Sequence, residues 1–167
     1  MTNNTSSSGS SLTQITQDLP RLIERMHRRF LDVVRIELAR QNIHNISPVQ
    51  AVMLSNIGTE EISVRDLIER GYYLGSNASY NLKNLVEGGY VARQASARDR
   101  RSARLKLSTK GKEILEILAK LNTQMAETLL KADSEADFEV TYRTLRRLEH
   151  RWSDGLRFAD NIGSDEF

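Results

Sequence analysis

Cysteine is missing from all 167 residues, and with it any disulfide framework, thiolate zinc site or cysteine redox switch. This composition fits a reducing, cytoplasmic setting. Long apolar runs are missing too. The stretch 114–119 is broken by Glu116 and falls far short of the ~20 residues that a membrane helix requires. The first eleven residues are rich in Ser, Thr and Asn, with neither a basic start nor an apolar centre. They read as a disordered tail rather than a signal peptide or an anchor. His27, His44 and His150 stand apart, without partners at metal-ligand spacing. The sequence contains no nucleophile elbow, phosphate loop or paired-carboxylate arrangement. The expected protein is not an enzyme and takes no cofactor or metal.

Net charge is also small, with 24 Lys and Arg against 22 Asp and Glu, a balance of +2. Its distribution is uneven. Residues 65–112 hold eleven basic and four acidic side chains, an excess of seven, so the remainder is net acidic by five. Such polarity suits a DNA-facing lobe attached to a neutral or acidic assembly lobe. The length suffices for one domain with helical extensions, not for two independent cores.

After the tail, Ile15, Leu19, Leu22, Ile23, Met26, Phe30, Val34 and Leu38 recur at helical spacing, which predicts a long amphipathic helix. Ser47 and Pro48 supply a cap and a first-turn proline for a second helix to about Ile57. Ile62, Ser63 and Val64 are too few for an independent strand but could pair at a sheet edge. A helix over 64–70 ends at Gly71, and another over 76–87 is stopped by Gly88 and Gly89. Residues 90–94 and 103–107 then read as two strands joined by an arginine-rich tip. A further long helix carries Ile114, Leu115, Leu118, Leu121, Met125 and Leu129. The last, capped by Ser134, carries Phe138, Tyr142, Leu145, Leu148, Trp152 and Leu156. Three such stripes exceed what one small winged module can bury, so a second copy of the chain is expected to cover them. The fold class that follows is mainly α with a small β-hairpin wing. It is a winged helix-turn-helix plus long N- and C-terminal dimerisation helices.

The helix over 76–87 buries Ala78, Leu82, Leu85 and Val86, leaving Ser76, Asn77, Ser79, Tyr80, Lys83 and Asn84 outward or flanking. Short polar side chains near a helix N-terminus, with a cation beyond, are what major-groove reading requires. A solvated surface helix would look the same, and the tip decides between the two readings. Arg98, Arg100, Arg101 and Arg104 crowd into seven positions with Asp99 as the lone acid, a cluster that repels itself unless an anion compensates it. Arginine is the residue suited to a narrow minor groove or to bidentate phosphate contact. Helix and tip together point to double-stranded DNA.

The pattern also resembles the MarR-type (multiple-antibiotic-resistance) regulators over about 13–156. The most specific match is Asp99-Arg100-Arg101, followed by Leu105-Lys106-Leu107-Ser108 and Gly111. The resemblance implies that Arg101 enters the minor groove while Asp99 orients the wing. It implies that Leu82, Leu85, Gly89 and Tyr90 form the family's helix-to-strand junction. It also implies a homodimer in which the N-terminal and the two C-terminal helices of each subunit interlock. Release of DNA by a small aromatic effector is a further implication, with Met26, Phe30, His44 and Met53 as crevice candidates. The turn 71–75, Gly-Tyr-Tyr-Leu-Gly, is more aromatic and Gly-rich than the usual family turn.

The domain reading is a tail over 1–12, an N-terminal dimerisation helix over 13–45, and a DNA-binding domain over 46–110. C-terminal dimerisation helices over 111–157 and an acidic flexible tail over 158–167 complete it. The functional expectation is a homodimeric, sequence-specific transcription regulator on a pseudo-palindromic operator. The alternatives are a ligand-independent architectural or nucleoid-type DNA binder and, as the poorest fit to the arginine-rich tip, a winged helix used for protein contact.

Overall fold

A computed structural model describes the backbone of residues 6–71, 73, 75–95, 103–132 and 134–162. The chain divides into two compact units, residues 1–121 and 122–167. The first contains α1 (Ser6–Arg40), α2 (Pro48–Ile57), β1 (Ile62–Ser63), α3 (Val64–Gly71), α4 (Gly75–Glu87), β2 (Val91–Ala95) and β3 (Ala103–Leu107). It ends within α5 (Thr109–Ala132).

The ends of these elements follow from their terminal residues. Ser47 caps α2: its hydroxyl accepts from the Gln50 N–H at 3.2 Å, the Gln50 side chain accepts from the Ser47 N–H at 3.0 Å, and Pro48 opens the first turn. Asn42 terminates α1 with φ 56°, and the Ile43 N–H reaches back to the Leu38 carbonyl at 2.9 Å. Asparagine tolerates this left-handed conformation better than most side chains. Gly89, φ 73°, does the same for α4. There the Tyr90 N–H donates to the Leu85 carbonyl at 2.9 Å and the Gly89 N–H to the Val86 carbonyl at 3.0 Å. These two bonds satisfy carbonyls that the helix end would otherwise leave open.

The three strands form an antiparallel sheet in the order β1-β3-β2. The two-residue edge segment does pair, Ile62 opposite Leu105 and Ser63 opposite Arg104. β2 and β3 pair from Val91 opposite Leu107 to Ala95 opposite Ala103. Alternation puts Val91, Leu105 and Leu107 in the core, while Ala92, Gln94 and Lys106 lie in solvent. The core of this unit joins Val34 and Leu38 of α1 with Ala51, Met53, Leu54 and Ile57 of α2. It continues through Leu67, Ala78, Leu82, Leu85 and Tyr90 to Ile114, Leu118 and Leu121 of α5.

The second unit holds the remainder of α5 and α6 (Glu135–Ile162). Ser134 caps α6, its hydroxyl accepting from the Asp137 N–H at 3.2 Å. No described residue of this unit is fully buried. Met125, Phe138, Leu145 and Leu148 are half-buried, whereas Leu129, Leu130, Val140, Tyr142 and Trp152 are exposed. Both terminal helices extend into segments that read as tails, α1 beginning at Ser6 and α6 running to Ile162. A helix already nucleated gains one backbone bond per added residue, so polar residues of modest propensity can prolong it. No helix among the described residues is long and apolar enough to cross a membrane.

Candidate nucleic-acid interface

Helix α4 is a two-faced element. Ala78, Leu82 and Leu85 are at most 4% exposed, which anchors one side in the core. At 100° per residue, Tyr80 falls opposite that stripe, and it is 66% exposed. Ser76, Asn77, Ser79 and Lys83 are exposed and Asn84 is half-buried. The Lys83 ammonium lies 3.8 Å from the Glu87 carboxylate, both largely in solvent, a pair too screened to restrain it strongly. The Asn81 amide donates to the Asn77 carbonyl at 2.9 Å and is thereby turned onto its own helix.

The approach of α4 is set by the turn before it. Tyr73 is 2.7 Å from the Asn56 amide, which donates to its hydroxyl, and its own N–H donates to the Ile68 carbonyl at 3.2 Å. Burial raises the Tyr73 pKa, with the Asn56 bond opposing in part. Gly71 lies beneath this ring: a β-carbon there would stand 2.0 Å from Tyr73 Cε2, so the ring would have to swing away to admit a larger residue. The aromatic residue that distinguishes this turn therefore pins the start of α4 to α2. Tyr72 and Leu74 lie outside the described residues.

The wing is fastened at its root by Tyr90, Ser108 and Gly111, which the sequence marks only as junction and motif positions, and by Asn45 and Lys110, which it does not single out. The Tyr90 hydroxyl donates to Asn45 Oδ1 at 2.6 Å, tying the end of α4 to the α1–α2 connection. Lys110 Nζ sits 4.1 Å from the centre of the Tyr90 ring and donates to the Gly88 carbonyl at 2.9 Å. The Ser108 hydroxyl lies 2.7 Å from the Gly89 carbonyl and 3.1 Å from that of Tyr90, and it accepts from the Gly111 N–H at 3.1 Å. A β-carbon on Gly111 would meet the Tyr90 carbonyl oxygen at 2.2 Å. The Ser108 and Gly111 spacing thus has a mechanical meaning: it closes the hairpin's second strand onto the α4–β2 junction. Its signal in the sequence was a Ser after a strand with Gly three residues on, but its partner Tyr90 is distant in the chain.

On the other side of the root, Ser63 and Asp66 cap α3 reciprocally. The Asp66 N–H donates to the Ser63 hydroxyl at 3.0 Å, and the carboxylate accepts from the Ser63 N–H at 3.2 Å. Hydrogen bonding to the Ser63 side chain, then to its backbone, holds the Asp66 pKa below its ordinary value. The charges of Arg104 and Arg70 add to this, while burial opposes it. Arg104, opposite Ser63 in the sheet, is half-buried, while Arg93 and Lys106 are exposed.

The structure thus gathers Ser76, Asn77, Tyr80, Lys83 and Asn84 on or beside one outward face, with Ser79 flanking. Arg98, Asp99, Arg100 and Arg101 lie outside the described residues. Of the effector candidates, Met26 and His44 are exposed, Phe30 is half-buried and Met53 is fully buried in the core. Among the described residues no group of three or more His, Asp or Glu could hold a metal ion.

A MarR-family model matches residues 44–102, the segment from α2 through β2 that ends just before β3. Over 143 residues the chain is 41% identical to the exopolysaccharide II synthesis transcriptional activator ExpG of Rhizobium meliloti (strain 1021). That match covers 85% of this chain and 74% of the relative. The fold is shared with the transcriptional regulator SlyA, at a TM-score of 0.74 and 21% identity over 85% of this chain and 99% of that one. It is also shared with Streptococcus pneumoniae FabT solved in complex with DNA, at 0.70 and 21% over 83% and 98%. The chain belongs to the MarR family of winged helix-turn-helix, DNA-binding transcription regulators, as its wing motif and junction glycines suggest.

Proposed function

We propose that this protein regulates transcription as a homodimer on a pseudo-palindromic operator. Each α4 enters one of two successive major grooves about 10 bp apart. Arg98, Arg100 and Arg101 hold the flanking minor groove or backbone, and Asp99 orients the wing. The observation that carries this reading is the division of α4 into a core-anchored stripe and an outward polar face, followed directly by the arginine-rich hairpin. Dimerisation is supported by apolar side chains left in solvent. In the first unit these are Leu12, Ile15, Leu22 and Met26 of α1, and in the second Val140, Tyr142 and Trp152 of α6. The name of the Rhizobium relative supports an activating role.

An aromatic effector acts on such a protein only by binding one arrangement of it better than another. We assign Met26, Phe30, His44 and Met53 to its crevice, with Met53 reached only when α2 loosens from its neighbours. The experiment for the central claim is a DNA titration over a range of salt. Arg101→Ala weakens binding to every operator and lowers the salt slope by about one; unchanged binding removes the wing from the mechanism. Competition by random DNA separates a specific regulator from an architectural binder.

A further inference from the structure

The chemistry of the outward face of α4 specifies what kind of base pair it reads. Three side-chain types dominate it: the carboxamides of Asn77 and Asn84, the Tyr80 ring and the hydroxyls of Ser76 and Ser79. Arginine is absent from the whole helix, and its one cation is Lys83, exposed and only loosely paired with Glu87 at 3.8 Å. In a major groove, guanine is read above all by Arg or Lys across O6 and N7. Adenine is read by a carboxamide across N6 and N7, and the thymine methyl by apolar contact. The helix carries the second and third of these tools in Asn77, Asn84 and Tyr80, and the first only once, in Lys83, about 60° round the helix from Tyr80 on the side away from the two asparagines.

Placement strengthens the assignment. Tyr80 projects furthest from the core, and Asn77 and Asn84 flank it along the same side at a spacing of seven residues. At 1.5 Å per residue that spacing is about 10 Å, or about three base-pair steps of ~3.4 Å. Among the described residues no internal hydrogen bond engages the Asn77 or Asn84 side-chain amide, whereas Asn81 is spent on the Asn77 carbonyl. Glu87 could accept from cytosine, but as the final residue of α4 it lies about 4.5 Å further than Asn84 from the N-terminal end that enters a groove.

We infer that α4 selects A·T pairs over about three to four consecutive positions of each half-site. Asn77 and Asn84 hydrogen-bond adenine edges and the Tyr80 ring packs on a thymine methyl. This inference rests on the proposed DNA-binding function and adds to it the class of sequence recognised.

The test is selection of bound duplexes from a random pool with the full-length protein, followed by titration of the winning site carrying base analogues. A·T pairs are expected at the positions protected in the major groove. Replacing thymine by uracil there weakens wild-type binding about five-fold or more and leaves Tyr80→Ala unaffected. Replacing adenine by 7-deazaadenine weakens wild type about ten-fold and has less effect on Asn77→Ala or Asn84→Ala. Tyr80→Phe retains the uracil effect, which separates ring contact from hydroxyl contact. Enrichment of G·C pairs at these positions, or indifference to both analogues, overturns the inference while leaving duplex binding and its salt slope intact. Failure to bind any duplex at low salt overturns the underlying function as well. Circular dichroism of each variant confirms that the helix content is unchanged.

Discussion

The two units of this chain treat apolar side chains in opposite ways. In the first, α2, α3, α4 and the sheet enclose Met53, Leu54, Leu67, Leu85, Tyr90 and Leu105 at 1% exposure or less. In the second, no described side chain is fully buried, and Val140, Tyr142 and Trp152 stand 47–66% exposed. The first unit also contains the contrast in miniature. α1 is anchored by Val34 and Leu38, yet leaves Leu12, Ile15, Leu22 and Met26 in solvent. A winged core of this kind finds its burial within one chain, whereas the long helices leave apolar surface that the chain itself does not cover. Under the proposed function, reading DNA and assembling would fall to parts with different sources of stability.

That contrast can be broken most severely at Tyr90. Tyr90→Ala empties a nearly closed site and is expected to destabilise the first unit by about 3–5 kcal/mol, measured by urea unfolding. A loss under 1 kcal/mol would mean that the junction is not a core element. The complementary change lies in the second unit. Tyr142→Glu with Trp152→Ala should raise the dimer dissociation constant at least ~30-fold, about 2 kcal/mol, in sedimentation equilibrium. The same pair should leave the unfolding of the winged core little changed, and an unaltered association would place the interface elsewhere.

Subtler changes sharpen the comparison. Tyr90→Phe keeps the ring and the Lys110 contact but removes the bond to Asn45. It should lower stability by about 1 kcal/mol, the Tyr90→Ala and Tyr90→Phe pair separating packing from tethering. The smallest effect is electrostatic. Because the Asp66 pKa is depressed in the folded state, its contribution is fully present above the unfolded value near 3.9. It is lost as pH falls through the lower folded value. Melting temperature should therefore fall from about pH 4 downward, and less steeply in Asp66→Asn. Parallel curves for the two proteins would show that the Ser63–Asp66 cap carries no acid-sensitive stability.

Much of the fold was legible because it is local. Ser47-Pro48 with Gln50 closes a capping box within three residues, and Gly88-Gly89 stops α4 through bonds reaching five residues back. The stripe of Ala78, Leu82 and Leu85 follows from helical periodicity alone. The edge strand was legible only as a segment able to pair, since two residues carry no periodicity, and its partners in β3, Leu105 and Arg104, came from the structure. The hydrogen-bond partners of the tyrosines were hidden for the same reason. Nothing adjacent in the chain announces that Tyr73 bonds Asn56, seventeen residues away, or that Tyr90 bonds Asn45, forty-five away.

The order of helices and strands, the polar face of α4, the basic excess over 65–112 and the family motif were all determined by the linear chain. Each depends on spacing, capping or charge summed along neighbouring residues. The pinning of α4 by Tyr73, the closure of the wing root around Tyr90, and the need for glycine at 111 were decided only by tertiary structure. Those constraints arise where segments far apart in sequence meet, and a β-carbon or a hydroxyl has meaning there only once the opposite surface is in place.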